Sequence, residues 1–349
     1  MKSTIKNARE KKGMLVRELA GKLGIDQALV SKFESGARKP TRAQVIKIAE
    51  VLGLDKETLL IEWLKDKLLY EIGDDELALK AIKVAESEIT YKLQQAPKGK
   101  WPIGLRGILT EIDKLKHKLD QLRAYDSYRI AQALELEYTF ESNRIEGNTL
   151  TLRETDLVIN EGLTISGKTM REHLEAINHK EAIAYIKMLT ETKSAINERE
   201  VLSIHNLILR GIHPDQAGVY RNVQVMIKGS SFTPPAHYLV QKQMEDFFIW
   251  FDLNKNKLHP VLLAAEAHER LVTIHPFIDG NGRTSRLLMN LILLQHGYVI
   301  ANIKGDSKSR MAYYLALEEA QSKGNKTPFL KLVAEYELDA LKRYVQLLS

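Results

Sequence analysis

Apolar residues recur at three- and four-residue spacing through nearly the whole chain, the period of an amphipathic helix. Over the first seventy residues Leu15, Leu19, Leu23, Val30, Phe33, Val45, Ile48 and Leu52 follow this period, which is cut at Gly13, Gly24, Gly36 to Pro40 and Gly53. Four or five helices of about ten residues are predicted there. A helical pattern of mixed charge from Glu71 to Gln95 ends at Ala96-Pro97-Lys98-Gly99-Lys100-Trp101-Pro102. Two prolines and a glycine make this the predicted domain boundary. Beyond it helices are expected at about 108–122, 125–146, 152–160, 169–190, 198–210, 241–253, 260–274, 282–296, 308–323 and 327–347. One stretch departs from the period. Gln224-Val225-Met226-Ile227, followed by Gly229-Ser230-Ser231-Phe232 and Pro234-Pro235, predicts a β-hairpin flap projecting from a helical body. The expected fold is all-α, with an N-terminal bundle over 1–70, a helical connector and linker over 71–107, and a helical core over 108–349.

At 349 residues the chain is long enough for at least two domains. Its 44% hydrophobic and 28% charged residues and mean hydropathy of −0.25 are ordinary for a globular protein, and they exclude disordered, collagenous and integral-membrane classes. The longest uncharged run, Leu287 to Ile303, is interrupted by Asn290, Gln295, His296, Gly297 and Asn302. It is too polar for a bilayer and is expected to be a buried core helix. Early charges without an apolar h-region argue against a secretory signal, so a cytoplasmic location is expected. The absence of cysteine excludes disulfides and thiol catalysis.

Charge is distributed unevenly. Residues 1–70 carry 15 Lys and Arg against 9 Asp and Glu, a net +6, and the rest of the chain balances at 36 of each. An anionic partner is therefore expected for the N-terminal module alone. Val16 to Ile25 reads as a helix and a tight glycine turn, and Asp26 can cap a second helix from Gln27 to Glu34. That helix offers Gln27, Ala28, Ser31 and Lys32 to base edges, with Arg38, Lys39 and Arg42 near phosphates. Ile5 to Leu54 resembles the Xre/Cro-type DNA-binding domains at Glu18-Leu19-Ala20, Gly24, Ser31-Lys32-Phe33-Glu34-Ser35-Gly36 and Pro40. Arg17 stands where that family often has glutamine, and is expected at the DNA backbone with altered geometry. A small basic bundle can also merely pack or bind a protein; arrangement, rather than charge, favours DNA.

The remaining sequence is dominated by His275-Pro276-Phe277-Ile278-Asp279-Gly280-Asn281-Gly282-Arg283-Thr284-Ser285-Arg286. A glycine-rich loop that opens a helix presents free N–H groups and the positive end of the helix dipole, an anion site suited to phosphates. Arg283 and Arg286, three apart, share a helix face and can reach further phosphate oxygens. Asp279 beside the loop, together with phosphate oxygens, would make a Mg²⁺ site. His275, whose ordinary pKa is near ~6.5, can accept a proton from an alcohol.

This stretch resembles the signature of the Fic family, His-x-Phe-x-Asp/Glu-Gly-Asn-Gly-Arg-x-x-Arg, at every defined position. The resemblance runs from about Leu109 to the chain end, through Gly218-x-Tyr220-Arg221, the hairpin at 224–235 and Tyr313-Tyr314. It implies transfer of AMP from ATP to a protein hydroxyl, with His275 as base and Asp279 as the Mg²⁺ ligand. It gives Gly280, Asn281 and Gly282 the α- and β-phosphates, and Arg283 and Arg286 the β- and γ-phosphates, within a nucleotide site that also takes in Thr284 and Ser285. Tyr313 is implied to pack against adenine. Lys228, Gly229, Ser230 and Ser231 would border the nucleotide, and the flap edge could hold a target segment. Ser142-Asn143-Arg144-Ile145-Glu146-Gly147 resembles the family's inhibitory motif on a helix around 138–147, whose Glu146 carboxylate can take an arginine needed by the γ-phosphate. Read alone, Glu146 is equally a helix end capped by Gly147.

The expected partners are therefore ATP with Mg²⁺, a hydroxyl of a target protein or of the chain itself, duplex DNA, and a second copy in a homo-oligomer, with no membrane. Two other readings stay open: a nucleotide-sensing transcriptional regulator with little turnover, and a Fic enzyme that removes AMP or uses another donor.

Overall fold

The computed structural model describes residues 1–73, 76–83, 85–86, 103–123, 128–227 and 229–349, and the linker 96–102 lies outside them. The chain divides into two compact units, Met1–Ala96 and Pro97–Ser349.

The first unit contains α1 (Lys2–Lys11), α2 (Val16–Leu23), α3 (Gln27–Ser35), α4 (Arg42–Leu52) and α5 (Lys56–Ile72). Gly24, at φ 71°, ends α2 and turns the chain directly into α3, where Asp26 Oδ1 accepts the Ala28 N–H at 2.6 Å. Leu19, Val30, Phe33, Val45 and Ile48 fill the core, each such burial stabilising by roughly 1.5–3 kcal/mol. The buried Arg9 donates to both carboxylate oxygens of Glu34, at 2.6 and 2.9 Å, and to Met14 O at 2.7 Å. This fork ties α1 to the last turn of α3 and fixes how α3 is presented.

In the second unit the elements are α6 (Ile103–Leu122), α7 (Tyr128–Ile145), α8 (Leu152–Glu161), α9 (Met170–Glu191), α10 (Glu198–Leu209), α11 (Val240–Asn254), α12 (Pro260–Ile274), α13 (Asn281–Gln295), α14 (Ser307–Lys323) and α15 (Thr327–Leu348). Helices α12 and α13 pack on each other at the centre, and both are buried on nearly every face, their charged and polar residues included. The loop joining them is the His275 to Gly280 stretch. Around the pair, α6 packs on α15, and α9 packs on α7, α10 and α13.

Two expectations are corrected. No strand forms among the described residues, so residues 224–227 and 229–235 are irregular chain and not the arms of a hairpin. Pro234 and Pro235 have no N–H to give a ladder, and the arms are instead joined through side chains, with Gln224 Nε2 donating to Pro234 O at 3.0 Å. The uncharged run is not one helix either: α13 stops at Gln295, Gly297 takes φ 77°, and Val299 to Ile303 continues as buried irregular chain. Among the described residues no helix is long and apolar enough to cross a membrane.

Candidate active site

His275 caps the C-terminus of α12 at φ 51°, a left-handed conformation uncommon for a residue with a side chain. Its Nδ1 lies 3.2 Å from Val272 O. A carbonyl only accepts, so Nδ1 carries the proton and Nε2 keeps its lone pair. Burial pushes the imidazole pKa below the ordinary histidine value, and the nearby Arg221 cation adds to this. His275 is thus neutral at pH 7, with a free basic nitrogen.

Arg221 is 2% exposed and faces carbonyls. Its guanidinium donates to His275 O at 2.8 Å, Val223 O at 3.0 Å and Pro235 O at 2.6 Å, while its N–H donates to Pro276 O at 2.9 Å. One side chain therefore joins both arms of the 222–235 loop to the His275 turn. His205 supports the other end of the His275–Gly280 loop. Its Nδ1 accepts the Gly218 N–H at 2.9 Å, so Nε2 donates to Asp279 O at 3.0 Å. The ring stacks on Phe277 at 3.6 Å, and burial drives its pKa down to about 4, keeping it in this neutral tautomer. His205 and Arg171 carry no local sequence signal; only Arg221 fell within a recognised motif.

Within the loop Asn281 Oδ1 accepts the Phe277 N–H at 3.0 Å and Nδ2 donates to Phe277 O at 2.9 Å. The Asn281 side chain therefore braces the turn. Gly280, at φ 76°, precedes α13, whose first backbone bond runs from Thr284 N–H to Gly280 O at 2.9 Å. The N–H groups of Asn281, Gly282 and Arg283 come before that bond and form the anion-facing end of the helix.

Asp279 accepts from Arg171 Nη2 at 2.6 Å, from the Gly280 N–H at 2.6 Å and from Arg283 Nη2 at 3.3 Å. Burial alone would raise its pKa, but Arg283, the Gly280 N–H and Arg171 outweigh it and hold the carboxyl below its ordinary value. Buried Arg283 pairs through Nη1 with Glu175 at 3.3 Å, without hydrogen-bond geometry, and its Nε has no partner. This open donor fits an anion. Among the described residues no group of three His, Cys, Asp or Glu is gathered for a metal. One ionised carboxylate beside open phosphate donors fits Mg²⁺, which keeps most of its shell as water and phosphate oxygen.

Thr284 and Ser285 are completely buried and their hydroxyls meet no partner. They stand three and four residues before Leu287, Leu288 and Met289 on the core face of α13, which takes their side chains away from any nucleotide. Tyr313 is sealed in the core. It is 1% exposed, and its hydroxyl contacts Arg286 Nη1 at 3.4 Å and His268 Nε2 at 3.1 Å. It lies behind Arg286 as support. In the 222–235 loop Gly229 and Ser231 are exposed, Ser230 Oγ accepts the Phe232 N–H at 3.1 Å, and Ser231 Oγ donates to Glu318 at 2.5 Å. Lys228 lies outside the described residues.

Helix α7 ends against this loop. Arg286 is 1% exposed and donates from Nη2 to Glu146 Oε1 at 2.6 Å and Ser142 O at 2.9 Å, and from Nε to Ser142 Oγ at 3.0 Å. Burial opposes its charge, and the Glu146 carboxylate more than compensates, raising the guanidinium pKa. A Cβ on Gly282 would lie 2.3 Å from Glu146 Oε1, so the carboxylate rests directly on the phosphate-type turn.

In the first unit Arg17, Gln27, Ala28, Ser31, Lys32, Arg38 and Arg42 are all exposed. Lys39 is not free in this way: its Nζ donates to Asp66 O at 2.6 Å and sits 4.2 Å from the Tyr70 ring centroid.

Residues 195–293 match the Fic/DOC family, and residues 5–59 match a helix-turn-helix family. Residues 195–293 are thus similar to a Fic domain. It is 37% identical over 233 residues to protein adenylyltransferase Fic of Nematostella vectensis, covering 65% of this chain and 53% of that protein. It is 30% identical over 350 residues to protein adenylyltransferase fic-1 of Caenorhabditis elegans, covering 97% of this chain and 65% of that one. The chain thus spans between 53% and 65% of the length of these relatives. Among solved structures, a Fic domain containing signaling protein from Bacteroides thetaiotaomicron matches with a TM-score of 0.61 and 26% identity, over 68% of this chain and 96% of that one. Fic-1 from C. elegans shares the fold with a TM-score of 0.61 and 24% identity, over 99% and 97%. The matched Fic segment contains His205, Arg221 and the whole loop from His275 to Arg286.

Proposed function

We propose that the protein is an autoinhibited protein adenylyltransferase, transferring AMP from ATP to a hydroxyl of a target protein or of another copy of itself. The observation that carries this is the neutral His275, with Nε2 unprotonated, next to a helix N-terminus and the open Arg283 Nε while Glu146 occupies Arg286.

The turn Gly280-Asn281-Gly282 would hold the α- and β-phosphates through the N–H groups of Asn281, Gly282 and Arg283, since the Gly280 N–H is taken by Asp279, and the Arg283 side chain would hold the β- and γ-phosphates. The target hydroxyl gives its proton to His275 Nε2 as its oxygen bonds to the α-phosphorus; the bond to pyrophosphate breaks, and AMP stays on the target. Asp279 would hold Mg²⁺, which when bound neutralises phosphate charge. Arg171 must then release the Asp279 oxygen it now holds. Arg286 completes the γ-phosphate clamp only after Glu146 leaves, because one guanidinium fork cannot serve both. Ser142 keeps Arg286 aimed in either state.

Residues 1–70 are proposed to bind duplex DNA, with Gln27, Ala28, Ser31 and Lys32 at base edges and Arg17, Arg38 and Arg42 at phosphates. Residues 71–107 would act as connector and 108–349 as the transferase. The seated Glu146 favours low basal turnover, which also suits a nucleotide-sensing regulator. Intact-mass measurement of the full chain with ATP and Mg²⁺ tests the reading. Gain of one AMP by Glu146→Gly, and none by Glu146→Gly with His275→Ala despite retained ATP binding, is expected. ATP binding without any AMP gain in Glu146→Gly would favour the sensor and sink the transferase.

A further inference from the structure

Helix α7 is held unevenly. Its C-terminal half is bound through Ser142 and Glu146 to Arg286, through Tyr314 OH donating to Ile145 O at 2.9 Å, and through Glu137 paired with both terminal nitrogens of Arg343 at 2.5 and 2.6 Å. Beneath its N-terminal half, at Ala131 and Leu134, lies a cavity of about 410 Å³. Its other walls are α15 at Tyr336 and Ala340 and the irregular chain from Tyr298 to Lys304. A space of this size exceeds what a water molecule needs and falls in the range of small-molecule sites.

The lining states the chemistry of an occupant. Leu134, Leu294, Val299 and the tyrosine rings offer apolar surface. Of the cations on the wall, Arg123 donates to Asp120 at 3.0 Å and to Gly297 O, Lys187 donates to Glu135 at 2.6 Å, and Arg343 is taken by Glu137. Lys304 differs: its Nζ stands 3.6 Å from Glu141 and 3.9 Å from Glu137. Those separations are ion pairs without a hydrogen bond, so a carboxylate entering the cavity can take Lys304 with little lost.

We propose that this cavity binds a small amphiphilic carboxylate, its apolar body against α7 and α15 and its carboxylate on Lys304, and that occupancy loosens α7 and releases Glu146 from Arg286. A ligand carboxylate on Lys304 withdraws the cation from Glu137 and Glu141 and sets a like charge beside both. Each change lowers the hold on the helix that delivers Glu146. The release half rests on the inhibitory role proposed for Glu146; the binding half does not.

Decanoate, below its micellar concentration, is the probe, with decanol as the neutral control, and the full chain is titrated by calorimetry. One decanoate site is expected, weakened about tenfold by Lys304→Gln, while decanol binding is indifferent to that change. Ala340→Trp fills the cavity from α15 and Leu134→Trp from α7; either variant with a parental melting curve should lose the site. No binding, or binding that both filled and folded variants retain, overturns the site. At saturating decanoate, self-modification of the parent should rise about fivefold, the lower end of usual coupling, and that of Glu146→Gly should not change. A cavity-dependent site with no rise in the parent, while Glu146→Gly is active, overturns the coupling. Inactivity of Glu146→Gly overturns the transferase reading instead, leaving the site to stand or fall on calorimetry.

Discussion

Gly305→Ala, a single methyl group added outside the His275–Arg286 stretch, should raise the proposed self-modification. Gly305 lies where the chain after α13 passes α7, and a Cβ there would sit 2.8 Å from Glu141 O, 2.9 Å from Arg144 Cβ and 3.0 Å from Ile145 N. Two of these neighbours are backbone, so no rotamer change relieves the clash, and the last turn of α7 must withdraw by about half an ångström to restore ordinary contact. Overpacking of this kind costs typically 1–3 kcal/mol. Retreat of α7 recovers much of that strain, and Glu146 rides on the turn that moves, 2.6 Å from Arg286. If about 2 kcal/mol is transferred to the Glu146 equilibrium, the released fraction rises roughly thirtyfold, at 1.4 kcal/mol per tenfold. Self-modification at saturating ATP and Mg²⁺, followed by intact mass, should increase by up to that factor. Adding Gly305→Ala to Glu146→Gly should bring no further gain, since the competitor is already absent. Parental activity in the single variant, alongside an active Glu146→Gly and an unchanged melting curve, would show that the position of α7 does not control the site. Equal gains in both backgrounds would show that Gly305 acts by another route.

Because the pKa of His275 lies below the ordinary value, transfer should be flat near neutrality and fall only on the acidic side, as Nε2 takes up a proton. Arg221→Gln removes a cation that, after burial, holds this pKa down, so the acidic limb should move to higher pH, read from kcat/KM against pH in the Glu146→Gly background; an unmoved limb would leave Arg221 a purely structural tie. Asp279→Asn keeps the shape but removes the charge, and should abolish the difference between ATP binding with Mg²⁺ and with chelator, measured by calorimetry; a persisting difference would place the metal elsewhere. Residues 1–96, which enclose their own core, should bind duplex DNA with an affinity falling steeply with salt, and Arg38→Ala should lower the slope by about one. A flat response would favour a protein partner.

The glycine turns, the capping Asp26 and the apolar period made the helical class and most helix positions legible, because these are local effects acting within one or two turns. The chemistry of the loop was equally local: His275, Asp279, the glycines and Arg283 lie within nine residues of one another, and a helix N-terminus makes its anion site from its own backbone. The 222–235 loop was misread because strand formation depends on a partner's hydrogen bonds, and two prolines withhold them there. Thr284, Ser285 and Tyr313 were placed by motif, but which face of α13 or α14 is sealed depends on what packs against it. Ser142 and Glu146 stand 144 and 140 residues from Arg286, so the motif could suggest an inhibitor while only the fold could bring it onto the guanidinium. Arg221 beneath His275, His205 beneath Asp279, Arg171 on the same carboxylate and the cavity under α7 are likewise products of distant segments meeting. Pattern along a chain records what each residue does to its neighbours in sequence; these contacts follow from the packing of whole helices, where burial decides protonation, tautomer and partner together.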